Sequence, residues 1–264
     1  MSKLIDNLNR TLQVVPRSMG FRQVLPVSPK PKILLVASLA QANVEDLADC
    51  VAGADAGLLS ISKISSGAKT LKKLSQVMPD IPWGRWLGDS GREEIQQMEK
   101  VGGDFVVFSA ANTSLVALQG DEVGKILEVE PLLSEGLLRA INELPVDAVL
   151  IASEPGEDYI LTWRHLMIFQ RFADLLTKPL LVYVSLSVTA GELQALWGAG
   201  VDGVVVVVGG AGQSARRLKE LRQVVNKLAF PLPRKRRKVE ALLPYIGRET
   251  SVVNGEEEEE GAEE

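Results

Sequence analysis

Residues 199–221 read AGVDGVVVVVGGAGQSARRLKEL. Val204–Val208, five valines in a row, has the composition of a strand covered on both faces. Gly209, Gly210 and Gly212 break the run, and Ser214 stands before ARRLKELRQVVNKL, whose apolar residues recur at helical spacing. Turn, buried strand, glycine loop and helix together make one unit of a parallel sheet.

The same phrase returns upstream in weaker form, as GADAGLLSI from Gly53, GGDFVVF from Gly102 and PVDAVLI from Pro145. Each puts an aspartate just before a β-rich run. Asp55, Asp104, Asp147 and Asp202 are 49, 43 and 55 residues apart. Between them lie PKILLVASL (31–39), IPWGRWLG (81–88), GKILEVEP (124–131) and KPLLVYVSL (178–186), which brings the candidate strands to eight.

The gaps carry helical patterns. Asn43 is placed to cap VEDLADCVAG, and Ser134 to cap EGLLRAINEL. Ser90 with Glu93, and Thr189 with Glu192, match the capping box. SSGAKTLKKLSQVM follows the second strand, and YILTWRHLMIFQRFADLL is read as the longest helix. SAANTSLVALQGDEV is the weakest gap, with short turns only. Eight strand–helix units in quarter repeats predict an α/β fold, a single closed (βα)8 TIM-type barrel; an open doubly wound sheet is the alternative. The organisation expected is an N-terminal helix and connector over 1–30, the barrel over 31–230, and a basic linker with a disordered acidic tail over 231–264. Leu4, Ile5, Leu8 and Leu12 share one face of the first helix, which suits it to cover an end of the barrel.

Composition narrows the class. Apolar residues are 46% and charged residues 24% of 264, as in ordinary globular proteins. Cys50 is the only cysteine, so no internal disulfide can form, and its helical context reads as a small buried hydrophobe. The N-terminus lacks the apolar stretch of a signal peptide and no run is long enough for a membrane span, so a cytoplasmic protein with no membrane partner is the expectation. The net charge of −5 hides two opposed segments: PRKRRK at 233–238, and seven glutamates in the last nine residues. One cationic cluster without interleaved aromatics, next to a competing acidic tail, argues against nucleic acid.

A barrel of this type works at the C-terminal ends of its strands. In KILEVEP the outer face must pack against helices, so Leu127 and Val129 belong outside, and Glu128 and Glu130 point into the barrel or its mouth. Two inward carboxylates suit general acid–base work or a divalent metal, and equally a structural ion-pair layer. Lys63 and Arg85, read as strand-end cations, are their expected partners, with Lys63 a further catalytic candidate and Arg85 an anion contact. His165, the sole histidine, reads as mid-helical and away from the mouth, which excludes a multi-histidine metal site and a Ser-His-Asp triad.

Residues 182–221 resemble the last two units of phosphate-binding TIM barrels, the ribulose-phosphate-binding group and the FMN-dependent barrels. GAGVDGVVVV (198–207) carries the likeness, with Thr189, Glu192 and Leu193 at the preceding helix start. The resemblance implies a phosphate seat made of Ser185 after the seventh strand and Gly209, Gly210 and Gly212 after the eighth. The sequence departs from the pattern twice. Ser185-Leu186-Ser187 replaces a glycine pair, and the last glycines fall two residues late. The function expected is a cytoplasmic enzyme for a small anionic or phosphorylated metabolite, lyase- or isomerase-like or an FMN-linked oxidoreductase. FMN and a divalent metal are both left open as cofactor, as is a homo-oligomer. The alternative is a non-catalytic barrel that binds a metabolite or serves as a scaffold.

Overall fold

The computed structural model describes residues 2–12, 33–41, 47–60, 81–87, 92–118, 123–153, 159–209 and 212–228. Helix α1 (Lys3–Leu12) precedes β1 (Leu34–Gln41), α2 (Leu47–Val51), β2 (Ala56–Ser60), β3 (Trp83–Leu87), α3 (Arg92–Lys100) and β4 (Phe105–Ser109). After a 3-10 turn at Leu115–Leu118 come β5 (Gly124–Val129), α4 (Glu135–Ile141), β6 (Ala148–Ile151), α5 (Trp163–Leu175), β7 (Leu180–Val184), α6 (Ala190–Gly198), β8 (Gly203–Gly209) and α7 (Gln213–Lys227). The strands are parallel and close in chain order, with β8 against β1. The fold is therefore the eight-stranded TIM-type barrel, not an open sheet.

Strand parity sorts the core into two layers. Inward residues such as Leu34, Val36, Leu58, Phe105, Val107, Ile126, Leu150, Leu181 and Val205 fill the barrel. Outward residues such as Leu35, Leu59, Leu87, Val106, Leu127, Val149, Val182 and Val206 pack beneath the helices. Cys50 is fully buried in this outer layer.

The repeated phrase has a mechanical meaning. Gly53, Gly102 and Gly200 have positive φ, which stops a helix and turns the chain towards the next strand. Two residues later the aspartate engages the strand before it. The backbone N–H groups of Asp55, Asp104, Asp147 and Asp202 donate to the carbonyls of Leu35, Trp83, Lys125 and Leu180 at 2.7–2.8 Å. In three units the carboxylate then accepts the N–H of that same residue: Leu35, Lys125 and Leu180, each at 2.8 Å. Asp55 is also clasped by Arg222 of α7, whose Nε bonds the Gly53 carbonyl. The four aspartates thus lie at the end of the barrel opposite the expected site. They set strand register, and their role is in stability rather than chemistry.

Asp104 differs. Its carboxylate accepts from Ser2 Oγ and the Lys3 N–H, both at 2.7 Å, and from the Leu4 N–H at 3.0 Å. It caps α1 from another part of the chain, and Leu4, Ile5 and Leu8 join the inner layer, sealing this end. Gly124 admits the plug, since a Cβ there would meet Ile5 and Ser2 at 2.7 Å. Asp104→Ala is expected to free α1 at a cost of about 1–2 kcal/mol. Hydrogen exchange should show fast amides over 3–12 with the strands still protected; unchanged protection there would exclude Asp104 as the latch.

Several expectations are corrected. The helix after β6 begins at Trp163, not near Tyr159, and its 13 residues are fewer than the 15 of α7. The last helix is capped by Gly212, one residue before Gln213, rather than led by Ser214. The Thr189–Glu192 capping box and the Ser134 cap form as read. Asn43, Ser90 and the SSGAKTLKKLSQVM helix lie outside the described residues.

Candidate functional site

The inner mouth of the barrel is built by the last inward positions of its strands. Alternation from Ile126 turns Glu128 inward, as read from the sequence, and the register sets it beside Ser109 of β4. Its Oε2 accepts a 2.9 Å hydrogen bond from Trp86 Nε1 on β3. Among the described residues Trp86 is the only hydrogen-bond donor to its carboxylate. Tyr183 of β7 packs against the same inner layer. Ser38, buried on β1, completes the polar lining that the described strands provide.

This surrounding controls protonation. Burial raises the Glu128 carboxyl above its ordinary value of 4.5, and the Trp86 hydrogen bond offsets part of that rise. Burial, and then the nearby Glu128 carboxylate, push the Tyr183 phenol upward, so it stays neutral. The arrangement is a half-buried carboxyl that holds its proton longer than a solvated glutamate, next to a neutral hydroxyl and an indole donor. Such a group can give or take a proton at a substrate held in the mouth.

A pH prediction follows from linkage. With its native value raised, Glu128 binds more protons in the folded than in the unfolded chain from about pH 4.5 upward. Stability should fall as pH rises through that window, up to the native value. Glu128→Gln should flatten that part of a melting-temperature profile against pH. An identical profile in both proteins would mean that the slope comes from other groups.

The remaining candidates are placed as follows. Glu130 is exposed, one residue past the end of β5, and its carbonyl accepts from the Leu133 N–H. Arg85 faces the other way from the mouth. Trp83 and Leu87, two residues on either side, belong to the outer layer, while Gly84 and Trp86 face inward. The expected pairing of Arg85 with the glutamates is therefore corrected, and its neighbour Trp86 holds that place. Lys63 and Gly210 lie outside the described residues.

Ser185 follows β7 in a turn that uses its own donors. Ser185 and Ser187 hydroxyls lie 2.8 Å apart, and the Ser187 N–H donates to Ser185 Oγ at 3.2 Å. The Val188 N–H donates to the Ser185 carbonyl at 3.1 Å, and the Thr189 N–H to Glu192 at 2.8 Å. Three amides that a bare glycine turn would offer to an anion are thus engaged. After β8 the geometry is more open. Gly209 ends the strand, and Gly212, at φ 108°, caps the 15-residue α7 and so offers no side-chain cap of its own to the helix's first amides. A Cβ at Gly212 would meet nothing within 4 Å.

His165 is the third residue of α5, so it sits at the mouth end of that helix rather than mid-helix. Its Nδ1 accepts the Thr162 N–H at 3.0 Å, and its ring stacks on Phe169 with the Tyr159 ring tilted against it. Burial and the adjacent Arg164 lower its affinity for a proton, which suits a neutral capping acceptor. Among the described residues no three His, Cys, Asp or Glu side chains converge as a metal site. No helix among them is long and apolar enough to cross a membrane.

Sequence reasoning missed Trp86 and Tyr183. The available signal was period-two counting: Trp86 shares parity with Gly84, and Tyr183 with Leu181.

No protein-family model and no curated protein matches the chain. Solved structures do. A mutant tryptophan synthase α-subunit of Pyrococcus furiosus is 14% identical and matches 74% of this chain and 97% of its own length with a TM-score of 0.56. An Aquifex aeolicus VF5 protein is 15% identical over 85% of this chain and 99% of its own, with a TM-score of 0.58. These similarities define the class by fold alone: a TIM barrel.

Proposed function

We propose that this barrel is an enzyme that moves a proton on a small anionic or phosphorylated metabolite, in a lyase- or isomerase-type reaction, with Glu128 as the acid–base group. The observation that carries the proposal is the half-buried Glu128 carboxyl at the inner mouth, bonded to Trp86 and raised in proton affinity. Tyr183 and Ser38 would orient the substrate. The amides opening α7 at Gly212, with Gly209 and Gly210, would seat its anionic group. Lys63 is a candidate cation for that group by its place in the sequence. That the similarly folded tryptophan synthase α-subunits belong to an enzyme supports the reading.

A second reading, a barrel that binds its metabolite without turnover, is favoured by the self-bonded turn after β7, which withholds half of an anion cup. A thermal-shift panel of phosphate, sugar phosphates, FMN, Mg²⁺ and Mn²⁺ tests both, because a ligand of the folded state must raise the melting temperature. The enzyme reading expects a shift with a phosphorylated compound and turnover of it that drops by about 10²–10⁴-fold in Glu128→Gln. Binding with no turnover by the unaltered protein would favour the second reading. No shift with any anion would remove the proposed seat.

A further inference from the structure

Helix α5 carries an unusual outer face. Trp163 is 83% exposed and Met167 73% exposed, on the same stripe as Gln170 and Asp174. A groove of about 600 Å³ runs along this face, from Trp163 at the mouth end to Leu175 and Ala199 at the other. Arg164 is exposed near the first end and has no ion-pair partner among the described residues. Asp174 is exposed near the second end and accepts only from Gln170 of its own helix among the described residues. On the neighbouring unit, Leu137 is exposed at the mouth end of α4 and Leu144 just beyond its other end.

We infer that two copies of this chain pair face to face across α5, antiparallel about a two-fold axis at the level of Phe169. One axis satisfies every feature of the face. Trp163 and Leu175 are equidistant from it, so each copy's tryptophan enters the apolar end of the other's groove. Arg164 and Asp174 are also equidistant, so each arginine meets the other copy's aspartate. Met167 falls against the stem of Arg171, whose guanidinium is held by the carbonyls of Pro131 and Leu133. A knob with its own hole, and a cation with its own anion, at matched levels on one face are what an isologous contact requires. An unrelated partner would have to supply both halves in reverse order.

Sedimentation of the full chain, over micromolar to tenths-of-millimolar concentrations, reads this directly. The expected species has twice the 28.6 kDa mass of one chain. Met167→Asp should give monomer with an unchanged circular dichroism spectrum, because the side chain is exposed. Arg164→Glu and Asp174→Arg should each weaken the dimer about tenfold by opposing like charges twice over, and the double exchange should restore it. A monomer at all concentrations, a dimer indifferent to Met167→Asp, or a double exchange no tighter than the single variants would each overturn the inference.

Discussion

Gly84→Ala is expected to cost the barrel about 3 kcal/mol, a very large effect for one added methyl. Gly84 faces inward on β3, paired in register with Phe105 of β4. A Cβ there would run into the Phe105 ring and lie 2.5 Å from its carbonyl oxygen. A ring can turn, but that carbonyl belongs to the sheet and cannot retreat without breaking register. Phe105 is almost fully buried and has glycine neighbours on both sides, since Gly124 of β5 is its other register partner. One large residue between two glycines is how this end of the barrel fills its interior. Gly103→Ala is the control. Its methyl would lie 2.4 Å from Cγ of the buried Met98 side chain, which can shift where a sheet carbonyl cannot, so a smaller loss of about 1–2 kcal/mol is expected. Urea unfolding of the two variants decides the matter; equal losses would show that side-chain crowding, not the fixed carbonyl, sets the cost.

Asp202→Ala should cost nearly as much, about 2–4 kcal/mol, and clearly more than Asp147→Ala at about 1 kcal/mol. The two residues perform the same act, each accepting a strand N–H at 2.8 Å. They differ in surroundings. Asp202 is completely buried, and its loss would leave the Leu180 N–H without an acceptor where water cannot reach. It also receives the Thr11 hydroxyl at 3.4 Å, tying β8 to α1. Asp147 is exposed, so water can replace its carboxylate at Lys125. Equilibrium unfolding of both variants gives the ratio. Equal losses would mean that the aspartates act through the local turn alone and that burial is irrelevant.

The two predictions mark where sequence reading succeeds and where it stops. The G-x-D phrase is recognisable as a repeat because the turn it makes is local, although its carboxylates reach distant residues. A left-handed glycine ends a helix, and an aspartate two residues on starts a strand. Glu128 is placed inward by a simple exclusion, since the outer face of β5 has to be apolar. The same exclusion fails on β3. There it would turn Arg85 inward and Gly84 outward, whereas Phe105 on the adjacent strand requires glycine inside. Trp86 therefore reaches Glu128, and Arg85 does not share the mouth. The position of His165 is obscured for a related reason: helical periodicity continues through Tyr159, but the cap at Thr162 starts the helix four residues later.

Number and order of strands, their parallel sense and the barrel that closes them were legible in the amino-acid order, because period, turn chemistry and apolar runs are properties of a few consecutive residues. The polar cluster of Glu128, Trp86 and Tyr183, the self-bonded turn after β7 and the bare face of α5 were settled only when distant strands and helices came into register. Parity says which residues share a face. Only the neighbours across the barrel, through the volume they leave and the hydrogen bonds they accept, say which face is inside.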